Sequence, residues 1–455
     1  MPERKCDVTI TGLTGRGQGV GKIKGQVVFV PGGLPGDRVR VAVTRAKKNY
    51  LVGRVEKLLE PSAQRVEATC HLSGDCGGCQ LQELSYSSQL QWKREWVVEA
   101  LNRIGGLSAH VLPTLPAPII WNYRNKAAFP VGYDRGRLVA GCYMPGTHRI
   151  VDSEACSIQH EKSNCILRET KNLLRELKVP VYDERSHRGL IRHLVARVAV
   201  GTGENMAVLV TKNKRFPQGT KLAKALMDRV DGLCSVVQNV NPAKTNIILG
   251  TENRTLAGKS HIDDIMGDDE LGRLTFRISP HAFYQVNSAQ AVNLYRLVRQ
   301  YANLQGTETV LDLYCGVGTI TLFVAKVAQR VVGVEEVPAA VSDARLNAKL
   351  NAIDNAEFLA GRAEHLMPSL LGQGVSPQVI IIDPPRAGCD QRILHAMIQA
   401  QPDRLIYVSC YPPTLARDLK VLAGGGYRPT RIQPVDMFPM TSHVECVVLM
   451  SRVDK

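Results

Sequence analysis

The sequence predicts an α/β protein whose C-terminal part is a doubly wound sheet, preceded by a small β-barrel and a mixed α+β middle. Three observations carry that reading. From about residue 280, short apolar strands alternate with helical stretches. Residues 1–60 instead show short alternating strands between glycine-rich turns and carry a concentrated positive charge. Residues 61–275 open with a cysteine cluster and mix both kinds of pattern, which leaves 276–455 for the α/β unit.

In the first segment the strand-like runs are Gln26 to Val30 and Arg38 to Val43, and the turns are Gly15 to Gly21 and Pro31 to Gly36. That pattern fits a barrel of the OB kind. Twelve Lys and Arg face five Asp and Glu there, a net +7 within a chain total of +15. A solvated face on a structural barrel would also show such charge, but its concentration favours RNA contact. The whole-chain excess, with a pI near 9.3, points to a polyanionic partner, and no basic amphipathic stretch suggests a membrane surface. No apolar run reaches the ~20 residues that span a bilayer, and the MPERKCDV start lacks an apolar signal core. A cytoplasmic monomer is expected.

The middle contains a helix at Ser85 to Ile104 and strands at Leu194 to Val200 and Met206 to Lys212. The α/β unit reads as Val310 to Tyr314, Thr319 to Ala328, Val331 to Val334, Pro338 to Asn351, Val379 to Ile382, Arg392 to Gln399, Arg404 to Ser409 and Val444 to Ser451. Its first strand runs into Asp312-Leu313-Tyr314-Cys315-Gly316-Val317-Gly318, where glycines let the backbone approach a ligand. Glu335 ends the next strand, placed to hold both hydroxyls of a ribose. A GxG turn also fits a dinucleotide. The missing third glycine and the later Asp383-Pro384-Pro385 favour S-adenosylmethionine. Cys315 reads as a small packing residue.

The strand Arg404 to Ser409 delivers Cys410 to the same sheet edge, and Glu445 enters an otherwise apolar final strand. One thiol and one carboxylate are what C5 methylation of a uracil needs. C5 is too weak a nucleophile alone, so a thiolate adds at C6, and a base later removes the C5 proton. Arg386 could neutralise a carboxylate or contact phosphate, while His443 and Cys446 read as packing neighbours.

Cys70, Cys76 and Cys79 follow an x5, x2 spacing, with Cys156 the best candidate for a fourth ligand. Four thiolates bind a [4Fe–4S] cluster or a tetrahedral zinc. The absence of paired Cys-x2-Cys knuckles favours iron–sulfur. Cys6, Cys142, Cys165, Cys234 and Cys389 have no usable spacing.

Together these motifs resemble the RNA uracil-5-methyltransferases, in particular their bacterial 23S rRNA branch, over almost the whole chain. Residues 1–60 resemble the family's TRAM domain, including Phe29-Val30-Pro31-Gly32 and Leu34-Pro35-Gly36-Asp37. The resemblance implies a class I methyltransferase fold with S-adenosylmethionine at Gln285, Tyr314, Glu335 and Asp383, where Gln285 stands in Phe283-Tyr284-Gln285-Val286-Asn287. It implies Cys410 as nucleophile, Glu445 as proton acceptor, and Cys70, Cys76, Cys79 and Cys156 as [4Fe–4S] ligands. It also implies that a helix around residues 82–112 packs on the catalytic domain. Tyr411 and Pro413 depart from a common Asn-Pro-Ala form, and Arg362 replaces a residue that often meets adenine. The implied substrate is 23S rRNA. A tRNA enzyme is the alternative, although that bacterial branch usually lacks both the barrel and the cysteines. Cytosine-5 enzymes would show Pro-Cys-Gln or Glu-Asn-Val, and amine methylation an aromatic where Arg386 stands. An RNA-binding iron–sulfur protein without catalysis would have no need of both Cys410 and Glu445.

Overall fold

The computed structural model describes residues 5–453. Residues Lys5–Glu60 form one six-stranded sheet in the order Lys5–Thr9, Arg38–Ala46, Tyr50–Glu60, Gln26–Val30, Gly19–Ile23, Gly12–Leu13. Alternation turns Val8, Val28, Val30, Val39, Val41 and Leu51 into its core. The turn read as Gly15 to Gly21 is shorter: Gly19 and Gly21 lie inside a strand. A side chain at Gly21 would meet Val8 Cγ1 at 2.4 Å, so glycine marks a close crossing of strands there rather than a bend. Buried Asp37 ends the barrel by accepting from the Leu34 and Ser62 amides and pairing with Arg65.

The middle holds a seven-stranded sheet ordered Glu252–Gly258, Leu233–Val240, Asn205–Thr211, Ile191–Val198, Lys126–Asp134, Arg137–Tyr143, Ile150–Asp152. Helices Glu161–Glu176 and Gly219–Arg229 cover one face. The other face packs on the hairpin Ile262–Asp268/Gly272–Ile278 and on helix Ser288–Ala302. Burial on both sides explains why Ile191–Val198 and Asn205–Thr211 show no exposed position.

The C-terminal sheet has strands β1 (Thr309–Leu313), β2 (Arg330–Glu335), β3 (Ala356–Ala360), β4 (Val379–Ile382), β5 (Arg404–Ser409), β6 (Tyr427–Val435) and β7 (Glu445–Arg452). Their order is β3-β2-β1-β4-β5-β7-β6, with β1 to β5 parallel and β7 antiparallel between β5 and β6. Continuous apolar runs such as Val379–Ile382 suit strands buried on both faces. The reversal matters for chemistry, because it brings the start of β7 to the carboxyl ends of β4 and β5. The alternating rhythm did not resolve β3, the helix Pro412–Gly424, or β6. β6 carries Pro429 and Pro434, which are tolerated at a sheet edge.

Helix Tyr86–Ala100, which continues as a π-helical turn over Leu101–Gly105, packs on helix Pro412–Gly424 and on β6. The chain beyond it runs alongside β6, where the Leu112 and Leu115 amides donate to Ile432 and Pro434 carbonyls. Lys93 in this helix is fully buried and reaches Asp436, also fully buried, at 2.6 Å. Removing one partner of such a pair strands a buried charge. Lys93→Met should therefore lower the unfolding free energy by about 3–5 kcal/mol in a urea titration. Adding Asp436→Leu should recover most of that loss.

Candidate active site

The glycine turn after β1 is built from unusual backbone. Tyr314 has φ 66°, Gly316 φ 57° and Gly318 φ 82°. A side chain at Gly318 would press on Phe358 at 3.0 Å, whereas the space around Gly316 is open. That opening faces the cofactor edge, where a ligand can approach the backbone. Glu335 ends β2 with one carboxylate oxygen accepting from the Gly316 amide at 3.1 Å and the other from the Val337 amide at 2.9 Å. Each oxygen keeps a lone pair for a hydroxyl. Cys315 is buried against Gly333 and packs, as its position in the sequence implies.

Beneath the turn, Asp312 accepts from Thr321 Oγ1 while its Oδ1 has no partner. Burial pushes this carboxyl up to about 7, and Asp383 and Glu335 oppose its ionisation further. Asp383 follows β4 and is likewise raised to about 7 by burial. Tyr295, fully buried on helix Ser288–Ala302, donates to Thr319 Oγ1 at 3.1 Å and lies within the field of Asp383, Asp312 and Glu445. Gln285 is buried just before that helix. Its carbonyl accepts from Asn125 Nδ2 at 2.9 Å, and the Asn125 amide donates to Val286. Asn125 and Tyr295 support the site from distant segments, and nothing in their local sequence marks them.

Cys410 and Glu445 come together by strand register. Ser409 pairs with Cys446, so the next step along each antiparallel strand sets Cys410 opposite Glu445. Glu445 is buried, and desolvation, reinforced by Asp383 and opposed by Arg386, pushes its carboxyl well above the usual range. The half-buried Cys410 thiol is pushed up to about 12 by burial, then by Glu445 and Asp383, against Arg386. His443 is lowered to about 4 by burial and by Arg386, Lys93 and Arg124, which leaves a neutral ring at pH 7. The site is thus a largely buried edge holding carboxyls and a thiol, with Arg386 the cation that opposes both Glu445 and Cys410.

The four cysteines of the spacing motif also gather. Cys79 and Cys156 pack on one small cluster with Tyr123, Ile158 and Met440. Burial and the neighbouring Cys156, Cys76 and Cys70 push the Cys79 thiol up to about 12. Cys142, which spacing did not single out, joins them beside Cys76, where the two thiols pull apart in pKa: Cys76 is lowered and Cys142 raised. The hairpin Lys126–Asp134/Arg137–Tyr143 delivers it, so only folding reveals it. Among the described residues, no three His, Cys, Asp or Glu side chains stand close enough to grip a metal ion. Four thiols supply the donor chemistry of an iron–sulfur cluster.

The sheet order and glycine turn define a class I methyltransferase domain, and the comparisons agree. Residues 243–453 match the model described as tRNA (Uracil-5-)-methyltransferase, and residues 2–55 match the TRAM domain. An uncharacterized RNA methyltransferase of Halalkalibacterium halodurans is 47% identical over 98% of this chain and 96% of its own length. One from Bacillus cereus is 46% identical over 99% and 97%. The Pyrococcus abyssi tRNA (uracil-54, C5)-methyltransferase, solved with S-adenosyl-L-homocysteine, is 31% identical, covers 98% of this chain and all of that one, and superposes with a TM-score of 0.78. The chain belongs to the RNA uracil-5-methyltransferase family and begins with a TRAM domain.

The raised Cys410 thiol has a measurable consequence. Only the thiolate is alkylated, so the iodoacetamide rate at the Cys410 peptide should climb about tenfold per pH unit from 7 to 10 without a plateau. A plateau below pH 9 would mean that the thiol ionises freely.

Proposed function

We propose that the protein transfers a methyl group from S-adenosylmethionine to C5 of a specific uridine in 23S rRNA, through a covalent bond between Cys410 and C6. The observation that carries this reading is the opposition of Cys410 and Glu445 beside Asp383 at the cofactor edge. Gln285, Tyr314, Glu335 and Asp383 would hold S-adenosylmethionine, with Glu335 taking the ribose hydroxyls. The open backbone at Gly316 and the unpartnered Asp312 Oδ1 suit a polar ligand there. When bound, the cofactor supplies an electrophilic methyl group on a sulfonium.

Cys410 Sγ bonds to C6 as the C5–C6 π pair moves toward O4, giving an enolate whose C5 takes the methyl group. Glu445 then removes the C5 proton. The released pair restores the C5–C6 double bond and expels the Cys410 thiolate. Arg386, which opposes the raised pKa of both groups, favours the thiolate at attack and the carboxylate at proton removal.

Cys410→Ala should abolish methylation and any covalent RNA adduct. Glu445→Gln should permit addition and methyl transfer and then stall, accumulating a methylated adduct that survives denaturing electrophoresis. 5-Fluorouridine RNA should trap the unaltered enzyme in the same way. Normal turnover by Glu445→Gln would refute its assignment.

The basic barrel and the cysteine loop support rRNA as substrate. A tRNA substrate is the second reading, favoured by the full-length likeness to the Pyrococcus abyssi enzyme. Mapping 5-methyluridine in 23S rRNA and tRNA from cells with and without the gene decides between them.

Cys70, Cys76, Cys79 and Cys156 would hold a [4Fe–4S] cluster that orders the loop, since uracil methylation requires no electron. Protein purified anaerobically should be brown and contain iron and sulfide, and Cys76→Ser should lose both. A colourless protein with stoichiometric zinc would overturn this assignment.

A further inference from the structure

A second recess adjoins the catalytic pair. It has a volume of about 740 Å³ and is walled by three parts of the chain far apart in sequence. The barrel supplies Arg16 and Phe29, helix Tyr86–Ala100 supplies Trp96, and the catalytic edge supplies Arg386, Tyr411 and His443. Tyr411 follows Cys410 and His443 stands two residues before Glu445, so the recess adjoins the segments that carry the catalytic pair.

Its walls are fixed by close packing. A side chain at Gly15 would lie 2.5 Å from the Trp96 ring, so the barrel turn rests directly on that indole. At Gly17, with φ +72°, a side chain would meet Gln80 Cβ at 2.8 Å and Ser442 Cβ at 3.4 Å. Glycine is required at both points for the turn to dock on the catalytic edge. Between these two anchors stands Arg16, exposed, with no acidic partner among the described residues. Trp96 stacks on Trp92 and meets Tyr411 edge-on at 6.1 Å and 76°. Tyr411 is 39% exposed, although its backbone opens a helix beside a buried site.

We infer that this recess binds the nucleotide flanking the target uridine, its base stacked on Tyr411 against the Trp96 edge and its phosphate paired with Arg16. The inference rests on the uracil reading above and adds a subsite to it. An exposed aromatic side chain beside an unpaired arginine binds single-stranded nucleic acid through any base's π face and the backbone charge. The volume suits a whole nucleotide rather than a bare pyrimidine ring. The subsite thus requires a base at the neighbouring position without choosing which, and it commits the barrel to positioning the strand beside Cys410.

The test uses 5-fluorouridine placed at the uridine that the 5-methyluridine mapping identifies, in short RNAs of that native sequence, with the full-length enzyme and S-adenosylmethionine present. One pool carries an abasic residue 5′ of the fluorouridine, a second carries it 3′, and a third has none. The unaltered enzyme should capture one abasic pool about tenfold less than the intact pool, and the other nearly as well. In Tyr411→Leu that ratio should shrink to less than about threefold, whatever the variant's absolute rate. Arg16→Gln should lower the slope of log affinity against log salt by about one. Equal capture of all three pools, an undiminished ratio in Tyr411→Leu, or an unchanged salt slope would overturn the subsite. Failure of the unaltered enzyme to capture the intact pool would instead strike the uracil reading itself.

Discussion

The buried pair of Lys93 and Asp436 is the constraint on which the geometry of the active edge depends. It joins positions separated by 343 residues, and neither side chain reaches water. Burial alone drives the Lys93 ammonium toward its neutral form, and only the Asp436 carboxylate opposes this. The pair is therefore tolerated only if the helix sits in one place. Lys93 also donates to the Phe438 carbonyl, and the Phe438 amide donates to Asp436. One ion pair thereby fixes both the helix that carries Trp96 and the loop that leads into Glu445.

That loop is held from a second side by the segment after the cysteines. The Gln80 and Leu81 amides both donate to the Met440 carbonyl, and Gln89 accepts from the Met440 amide. Met440 has φ 67°, a left-handed conformation that costs a residue with a side chain about 1–3 kcal/mol, so its surroundings must impose it. Gln80 lies one position after Cys79, and its side-chain oxygen also takes the Ser442 amide. Order in the cysteine loop and order at Glu445 are mechanically one property. This gives the gathered thiols a structural reason to exist near a reaction that moves no electrons.

The electrostatics of the edge follow from burying like charges together. Asp312, Asp383 and Glu445 are each pushed upward by desolvation, and the last two also oppose ionisation of Cys410. An apolar sheet edge with several acidic groups disfavours every anion and favours an incoming cation. Arg386 moderates this without pairing rigidly, and a neutral His443 adds no second positive charge.

Much of this was legible in the chain. Apolar runs such as Val379–Ile382 announced central strands, and the glycine turn announced the ligand edge, because short-range backbone preference dictates both. Cys410 and Glu445 stood out because a thiol at a strand end and an acid inside an apolar strand conflict with their surroundings. The opposition of those two residues was not legible in strand pattern alone, since it depends on β7 inserting antiparallel between β5 and β6. Nor could spacing place Cys142 beside Cys76, Asn125 beneath Gln285, or the Gly15 turn on Trp96. Sequence periodicity determines which residues face a core, since it acts over a few neighbours. Only the tertiary structure decides which distant segments share a wall, because that choice is made by buried charge, strand register and close packing across hundreds of residues.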